Sequence, residues 1–198
     1  MEAFMAQEIE IEFKNLLTKN EYDQLLQHFN IQQDCIVKQV NYYFDTPNEH
    51  LKKAKSGLRI RQIDSYYECT LKEKSSKNTH LETNVQISED VAKSILNNCI
   101  FPLPEIQARL DLLQIPQEQL EHFGTLSTNR VEINYEGGLL VLDHSSYLQR
   151  DDYEVEYESS DEKIGNIVFN KFLQQFDIPV RHTEKKIARF MQALKENQ

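Results

Sequence analysis

The sequence predicts an α+β fold, and three kinds of pattern predict it. Several runs alternate strictly between apolar and ionic side chains, the period of a strand. Capping signals precede stretches with apolar residues at helical spacing. Gly137-Gly138 separates two strand-like runs, as in a hairpin. In chain order, Glu8–Lys14 is the first alternating run. Thr18 with Glu21 three residues later forms a capping box and starts a helix carrying Tyr22, Leu25, Leu26 and Phe29 on one face. Val37–Asp45 is aromatic and β-branched and stops at the turn signal Thr46-Pro47-Asn48. Strands follow at Gly57–Ile63, Tyr66–Glu73 and Leu81–Ile87. Ser88 caps a helix to about Asn97, and Pro104 opens another with Ile106, Leu110 and Leu113 along one side. The hairpin arms are Thr125–Tyr135 and Leu139–Asp143, and Tyr153–Glu158 is a further alternating run. Ser159 with Glu162 reads as a second capping box, ahead of helices over about 161–176 and 182–196. No repeat, low-complexity tract or linker interrupts the chain, so residues 1–198 are expected to form a single domain.

Composition narrows the function. A chain of 198 residues buries roughly 70% of its unfolded surface, enough for a core without staples. Apolar residues make up 39%, charged ones 27% and aromatics 10%, with 5 Gly and 5 Pro, values that exclude a disordered or fibrous chain. No apolar run approaches the ~20 residues of a membrane span. Met1–Glu12 has neither the basic nor the apolar region of a secretory leader. Cys35, Cys69 and Cys99 are odd in number and widely spaced, which fits neither a disulfide framework nor a zinc site; they are expected to be small buried apolar residues. A cytoplasmic protein with reduced thiols is the expectation. The 6 histidines form no close metal-binding pair. The net charge of −10 argues against nucleic-acid binding, which needs a basic footprint.

The strands share one property, a charged face opposite an apolar one. Glu8, Glu10, Glu12 and Lys14 lie opposite Ile9, Ile11 and Phe13. Arg59 and Arg61 lie opposite Leu58 and Ile60; Thr70 and Lys72 opposite Cys69 and Leu71. Thr128, Arg130, Glu132 and Asn134 oppose Val131, Ile133 and Tyr135, and Glu154, Glu156 and Glu158 oppose Val155 and Tyr157. An antiparallel sheet with one solvated face is the plainest explanation. The charges on each strand, however, are mostly of one sign, where a solvated surface intersperses both. Carboxylates gathered apart from guanidinium and ammonium groups are what a metal–polyphosphate site requires.

The residues that make this pattern also resemble a known family. Glu10-x-Glu12-x-Lys14 is similar to the ExExK signature of the CYTH superfamily, the triphosphate tunnel metalloenzymes. Tyr43-Phe44-Asp45-Thr46-Pro47, Leu58-Arg59-Ile60-Arg61 and Thr70-Leu71-Lys72 resemble its next motifs, in the family's order. Glu82, Thr128-x-Arg130, Leu142-Asp143, Glu154-x-Glu156 and Lys186-x-x-Arg189 complete a set that runs from residue 8 to 190.

The resemblance implies an antiparallel, eight-stranded β-barrel forming a tunnel, with helices packed outside. It implies that Arg59, Arg61, Lys72, Arg130, Lys186 and Arg189 hold a triphosphate. It also implies that Glu10, Glu12, Glu154 and Glu156, supported by Glu82 and Asp143, hold Mg²⁺ or Mn²⁺. Lys14 and Tyr43 match a pair implied to help activate water, although Tyr43 could equally be a packed aromatic. Glu8 and Glu158 lie outside the motifs and read as rim residues, and Asp45 and Thr46 as residues that fix the turn before Pro47.

The implied activity is metal-dependent hydrolysis of tripolyphosphate or a nucleoside triphosphate by a monomer or homodimer, with neither nucleic acid nor membrane as partner. Three alternatives stay open: a class IV adenylyl cyclase, a thiamine triphosphatase, and a non-catalytic polyphosphate or nucleotide sensor. Vertebrate thiamine triphosphatases carry a tryptophan where this chain has Gly57, and the sequence has no tryptophan. Six carboxylates argue against the sensor, since anion binding gains nothing from them.

Overall fold

Side-chain alternation requires each strand to bury one face, and the sheet does this by closing on itself. The computed structural model describes residues 5–181 and 184–196. Its strands are β1 (Met5–Leu17), β2 (Val37–Asp45), β3 (Ser56–Ile63), β4 (Tyr66–Lys74), β5 (Thr79–Ile87), β6 (Glu121–Tyr135), β7 (Gly138–Tyr147) and β8 (Arg150–Ser159). They form a closed barrel in the order β1-β5-β4-β3-β2-β6-β7-β8. Successive hairpins β2–β3, β3–β4, β4–β5, β6–β7 and β7–β8 pair antiparallel, as do β1 and β8. The helices are α1 (Lys19–His28), α2 (His50–Lys53), α3 (Glu89–Asn98), α4 (Pro104–Leu112), α5 (Glu162–Gln175) and α6 (Lys186–Glu196). The fold class is the expected α+β antiparallel barrel. The chain also divides into two compact units, one made of the segment up to Ile9 with Gln39–Leu126, the other of Glu10–Lys38 with the chain from Ser127 onward.

In the first unit the apolar faces of β2–β5 lie under α2, α3 and α4. Leu58, Ile60, Cys69 and Leu71 pack with Leu51, Ile95, Ile106 and Leu110, all at 1% exposure or less. Phe44 meets Phe101 edge-on, with ring centroids 4.9 Å apart. The turn after β2 is held by Asp45, whose carboxylate accepts from the backbone N–H groups of Thr46 (2.7 Å), Leu51 (2.9 Å) and Lys52 (3.1 Å). Asp45 is thus the structural residue its place in the turn predicts. On the outer face Arg109 of α4 grips Glu73 of β4 through two bonds of 2.8 Å.

In the second unit Phe13, Val131, Leu142, Val155 and Tyr157 pack against Tyr22 and Leu25 of α1 and Phe169, Phe172 and Leu173 of α5. The predicted capping box at α1 is present: Glu21 N–H donates to Thr18 Oγ1 (3.2 Å) and Thr18 N–H to Glu21 Oε2 (2.7 Å). Gly165 lets α5 approach closely, since a Cβ there would lie 2.6 Å from Phe13 Cε2 and 2.7 Å from Ser159 Cβ. Phe190 of α6 is 1% exposed and meets Tyr147 of β7 edge-on at 5.5 Å.

Four local expectations are corrected. The strands run longer than their alternating cores: β1 begins at Met5 and β7 continues to Tyr147. Cross-strand hydrogen bonding recruits polar stretches such as His144-Ser145-Ser146, which carry no apolar signal. The cap of α5 is Asp161, whose carboxylate accepts from Ile164 N–H at 2.8 Å; Ser159 instead accepts from Asp161 N–H, so Ser159 with Glu162 is no capping box. The last helix starts at Lys186, while His182 and Thr183 of the predicted span lie outside the described residues. Only Cys69 is a buried thiol; Cys99 is half-buried and Cys35, at the end of a 3₁₀ turn, is exposed.

Candidate active site

Strand register assembles the charged residues. Across β6, β7 and β8 one row places Arg130 opposite Asp143 and Asp143 opposite Glu154, while β1 places Lys14 opposite Glu156. Directly opposite side chains on one face have Cβ atoms about 5 Å apart, so these groups must interact. The carboxylates of Asp143, Glu154 and Glu156 gather so that one oxygen from each lies within 4.8 Å of the others. Asp143 is 0% exposed and Glu154 1%. Burying such charges is costly unless each is paired and hydrogen-bonded.

The pairing is extensive. Arg130 forks onto Asp143 with bonds of 2.9 and 2.6 Å and reaches Glu156 at 3.1 Å. Lys186, the first residue of α6, places Nζ 2.5 Å from Asp143 Oδ2 and 2.8 Å from Glu154 Oε1. One turn on, Arg189 bonds Glu154 at 2.5 Å and Asp152 at 2.8 Å. Lys14 lies 3.3 Å from Glu156 and also pairs with Glu12.

This network sets the protonation states. Burial alone would raise Asp143 and Glu156, but Arg130 and Lys186 hold Asp143 below the usual carboxylate range, and Lys14, Lys186 and Arg130 hold Glu156 well below it. Burial wins at Glu154, which is raised. Burial would strip the proton from Lys14, yet Glu12, Glu156 and Glu154 outweigh it and raise its pKa. Lys14 is therefore a fixed cation.

The first unit carries its own cations. Arg59 and Arg61 of β3 are half-buried on the face opposite the core, and Arg61 Nε donates to Asn41 Oδ1 at 3.1 Å. Lys72 and Glu82 sit opposite each other in register, 3.1 Å apart. Burial would raise Glu82, but Lys72 and Arg59 lower it. Tyr43 lies opposite Arg59 and is 6% exposed, its ring 6.2 Å from that of Phe123 and inclined by 24°.

The expected metal residues thus separate. Among the described residues, Asp143, Glu154 and Glu156 are the acidic group close enough to share an ion. Glu12 is engaged with Lys14, Glu82 pairs with Lys72, and Glu10 is half-buried on β1. Asp143, expected only in support, is one of the three. An all-carboxylate donor set suits a hard divalent cation. Glu154 Oε1 is buried without an aligned hydrogen bond, although Lys186 lies beside it. The residues present therefore fit Mg²⁺ or Mn²⁺.

Two residues that hold the charged side chains escaped the sequence reading. Asp152 anchors Arg189, and the alternation Asp152-x-Glu154-x-Glu156 could have revealed it. Asn41 orients Arg61 and shares the face of Tyr43, but a lone amide carries no such signal.

With fold and charges in view, comparison with known proteins defines the class. Residues 8–191 match the CYTH domain, and the chain belongs to the CYTH family. It is 44% identical over 188 residues to YjbK of Bacillus subtilis, which bears a provisional triphosphatase name, covering 94% of this chain and 96% of that one. A Bacillus halodurans crystal structure described provisionally as an adenylate cyclase is 43% identical, with a TM-score of 0.89 over 93% of this chain and 98% of that one. HpAC1 from Hippeastrum, described as having a dominant triphosphatase activity, shares the fold at 22% identity, with a TM-score of 0.77 over 93% and 95% of the two chains.

Proposed function

We propose that this protein is a divalent-metal-dependent triphosphatase acting on inorganic tripolyphosphate or a nucleoside triphosphate. The observation that carries the reading is the buried carboxylate triad of Asp143, Glu154 and Glu156 interlocked with Arg130, Lys186 and Arg189. Buried ion clusters seldom stabilise a fold relative to apolar packing, so this one is better understood as serving a ligand. Family membership and the likeness to YjbK support the same conclusion.

In this reading Asp143, Glu154 and Glu156 hold Mg²⁺ or Mn²⁺, with Glu10, Glu12 and Glu82 contributing negative potential. The ion, when bound, supplies Lewis-acid polarisation of a phosphoryl oxygen and of water. Arg59, Arg61, Lys72, Arg130, Lys186 and Arg189 bind the phosphate oxygens, whose charge spreads as the terminal group departs. Such catalysis is chiefly positioning and electrostatic stabilisation. Lys14, held protonated by its carboxylates, serves as a positioning cation rather than a base. The Tyr43 hydroxyl is left to orient the attacking water. We read residues 1–198 as one functional domain, a cytoplasmic monomer or homodimer; among the described residues, no helix is long and apolar enough to cross a membrane.

A cyclase is the second reading, favoured by the description of the Bacillus halodurans relative. The two separate in one assay of tripolyphosphate and ATP with Mg²⁺, Mn²⁺ or EDTA. Phosphate release that EDTA stops is the expected outcome. Cyclic AMP with pyrophosphate would establish the cyclase, and tight binding without product would establish a sensor.

A further inference from the structure

Lys186 lies against two of the three carboxylates that would hold an ion. Its Nζ is 2.5 Å from Asp143 Oδ2 and 2.8 Å from Glu154 Oε1, two members of the triad, and Arg189 occupies the other oxygen of Glu154 at 2.5 Å. A hard divalent ion binds carboxylate oxygens at roughly 2.0–2.6 Å. It would therefore meet the ammonium group at close range in a buried setting, where like charges repel strongly. Ion and ammonium therefore compete for these oxygens.

The two cations belong to α6, and the chemistry of the first allows it to move. A lysine is a compact charge on a flexible four-carbon stem, so Nζ can swing without unfolding its helix. What would draw it off is a competing anion, and a triphosphate offers phosphoryl oxygens that ammonium groups bind well.

We propose that Lys186 excludes the free divalent ion from the triad and yields its place only when a triphosphate takes over the ammonium group. The ion then enters together with the triphosphate, and the substrate is the metal–triphosphate chelate. This inference rests on the triphosphatase reading above. The structure shows what suits a lysine here: its single Nζ makes both contacts to the triad, whereas Arg130 grips Asp143 with two nitrogens of a planar fork.

The test is Mn²⁺ binding to the full chain, read from the electron paramagnetic resonance signal of free Mn²⁺. Wild-type protein should bind Mn²⁺ weakly alone and more tightly with a non-hydrolysable imido analogue of tripolyphosphate. Lys186→Met should bind Mn²⁺ alone about tenfold more tightly than wild type, within the usual range of site-to-site coupling, while Lys186→Arg should stay near wild type. Equal affinity in Lys186→Met and wild type would overturn the proposal. Mn²⁺ binding absent from every variant, with or without the analogue, would overturn the metal site itself. Wild type gives a check independent of any variant's folding: protein-bound Mn²⁺, measured after gel filtration, should rise when the analogue is present, and no rise would also defeat the idea.

Discussion

Asp143 has no solvent exposure and keeps its charge, because Arg130 and Lys186 both reach it. Glu154, two strand positions from Glu156, shares Lys14 and Lys186 with it yet is pushed the other way by burial. Neighbouring carboxylates driven apart in protonation are a feature that clusters at functional sites. Replacing Glu154 and Glu156 by Gln keeps size and hydrogen-bonding capacity but removes two charges. Metal-dependent turnover should be lost while the circular dichroism spectrum is retained; wild-type turnover would place the ion elsewhere. Arg59→Ala removes a half-buried cation from the first unit. Loss of a charge-assisted hydrogen bond worth ~1.5–3 kcal/mol should weaken triphosphate affinity roughly 10- to 100-fold with little change in thermal midpoint. Calorimetric titration with the imido analogue checks this.

Elements hold these residues through turns and registers. The Asp-Thr-Pro turn after β2 illustrates a motif that is structural in detail: Asp45 satisfies three backbone donors, and Thr46 Oγ1 contacts His50 Nδ1 at 2.6 Å. Asp45→Ala leaves those donors without their carboxylate beside the buried Leu51. A stability loss of about 1–3 kcal/mol is expected, measured by urea denaturation. Turnover per folded molecule should be unchanged, and a selective loss of turnover would make Asp45 a substrate residue. Elements were legible where a local signal existed, as in the box of Thr18 and Glu21 or the alternation of β8. They were illegible where neighbours decided. Ser159 had the right spacing to Glu162, but Asp161 was nearer the helix and took the cap. Cys35 had the composition of a core residue, yet a 3₁₀ turn leaves it exposed.

At the scale of the molecule, a charge of −10 coexists with a concentrated set of cations on the face opposite the apolar cores. Burial also reaches the tyrosines. Burial and the nearby Asp143 carboxylate push Tyr22 up to about 12, and burial with the hydrogen bond to Asp152 pushes Tyr147 up to about 12. In the unfolded chain a tyrosine ionises near pH ~10. Both groups favour the folded state while neutral, so their contribution is complete below about pH 10 and fades as pH rises toward about 12. The urea midpoint should fall across that window. In the native protein the 295 nm absorbance of these two tyrosines should lag behind that of the exposed ones. Titration of all tyrosines together near pH ~10 in folded protein would refute it.

The sequence by itself determined which face of each strand is charged, where α1 is capped, and the ordered motifs from Glu10 to Arg189 that resemble the CYTH family. These are local properties: side chains alternate with period two, and a cap acts over three residues. Tertiary structure alone decided which carboxylate meets which cation. Glu82 and Glu154 look alike as acids on alternating strands, yet one faces Lys72 and the other lies with Asp143, Glu156 and Lys186. That choice depends on the register between paired strands, on the pairing of β1 with β8 and on where α6 begins, and period-two alternation contains none of these.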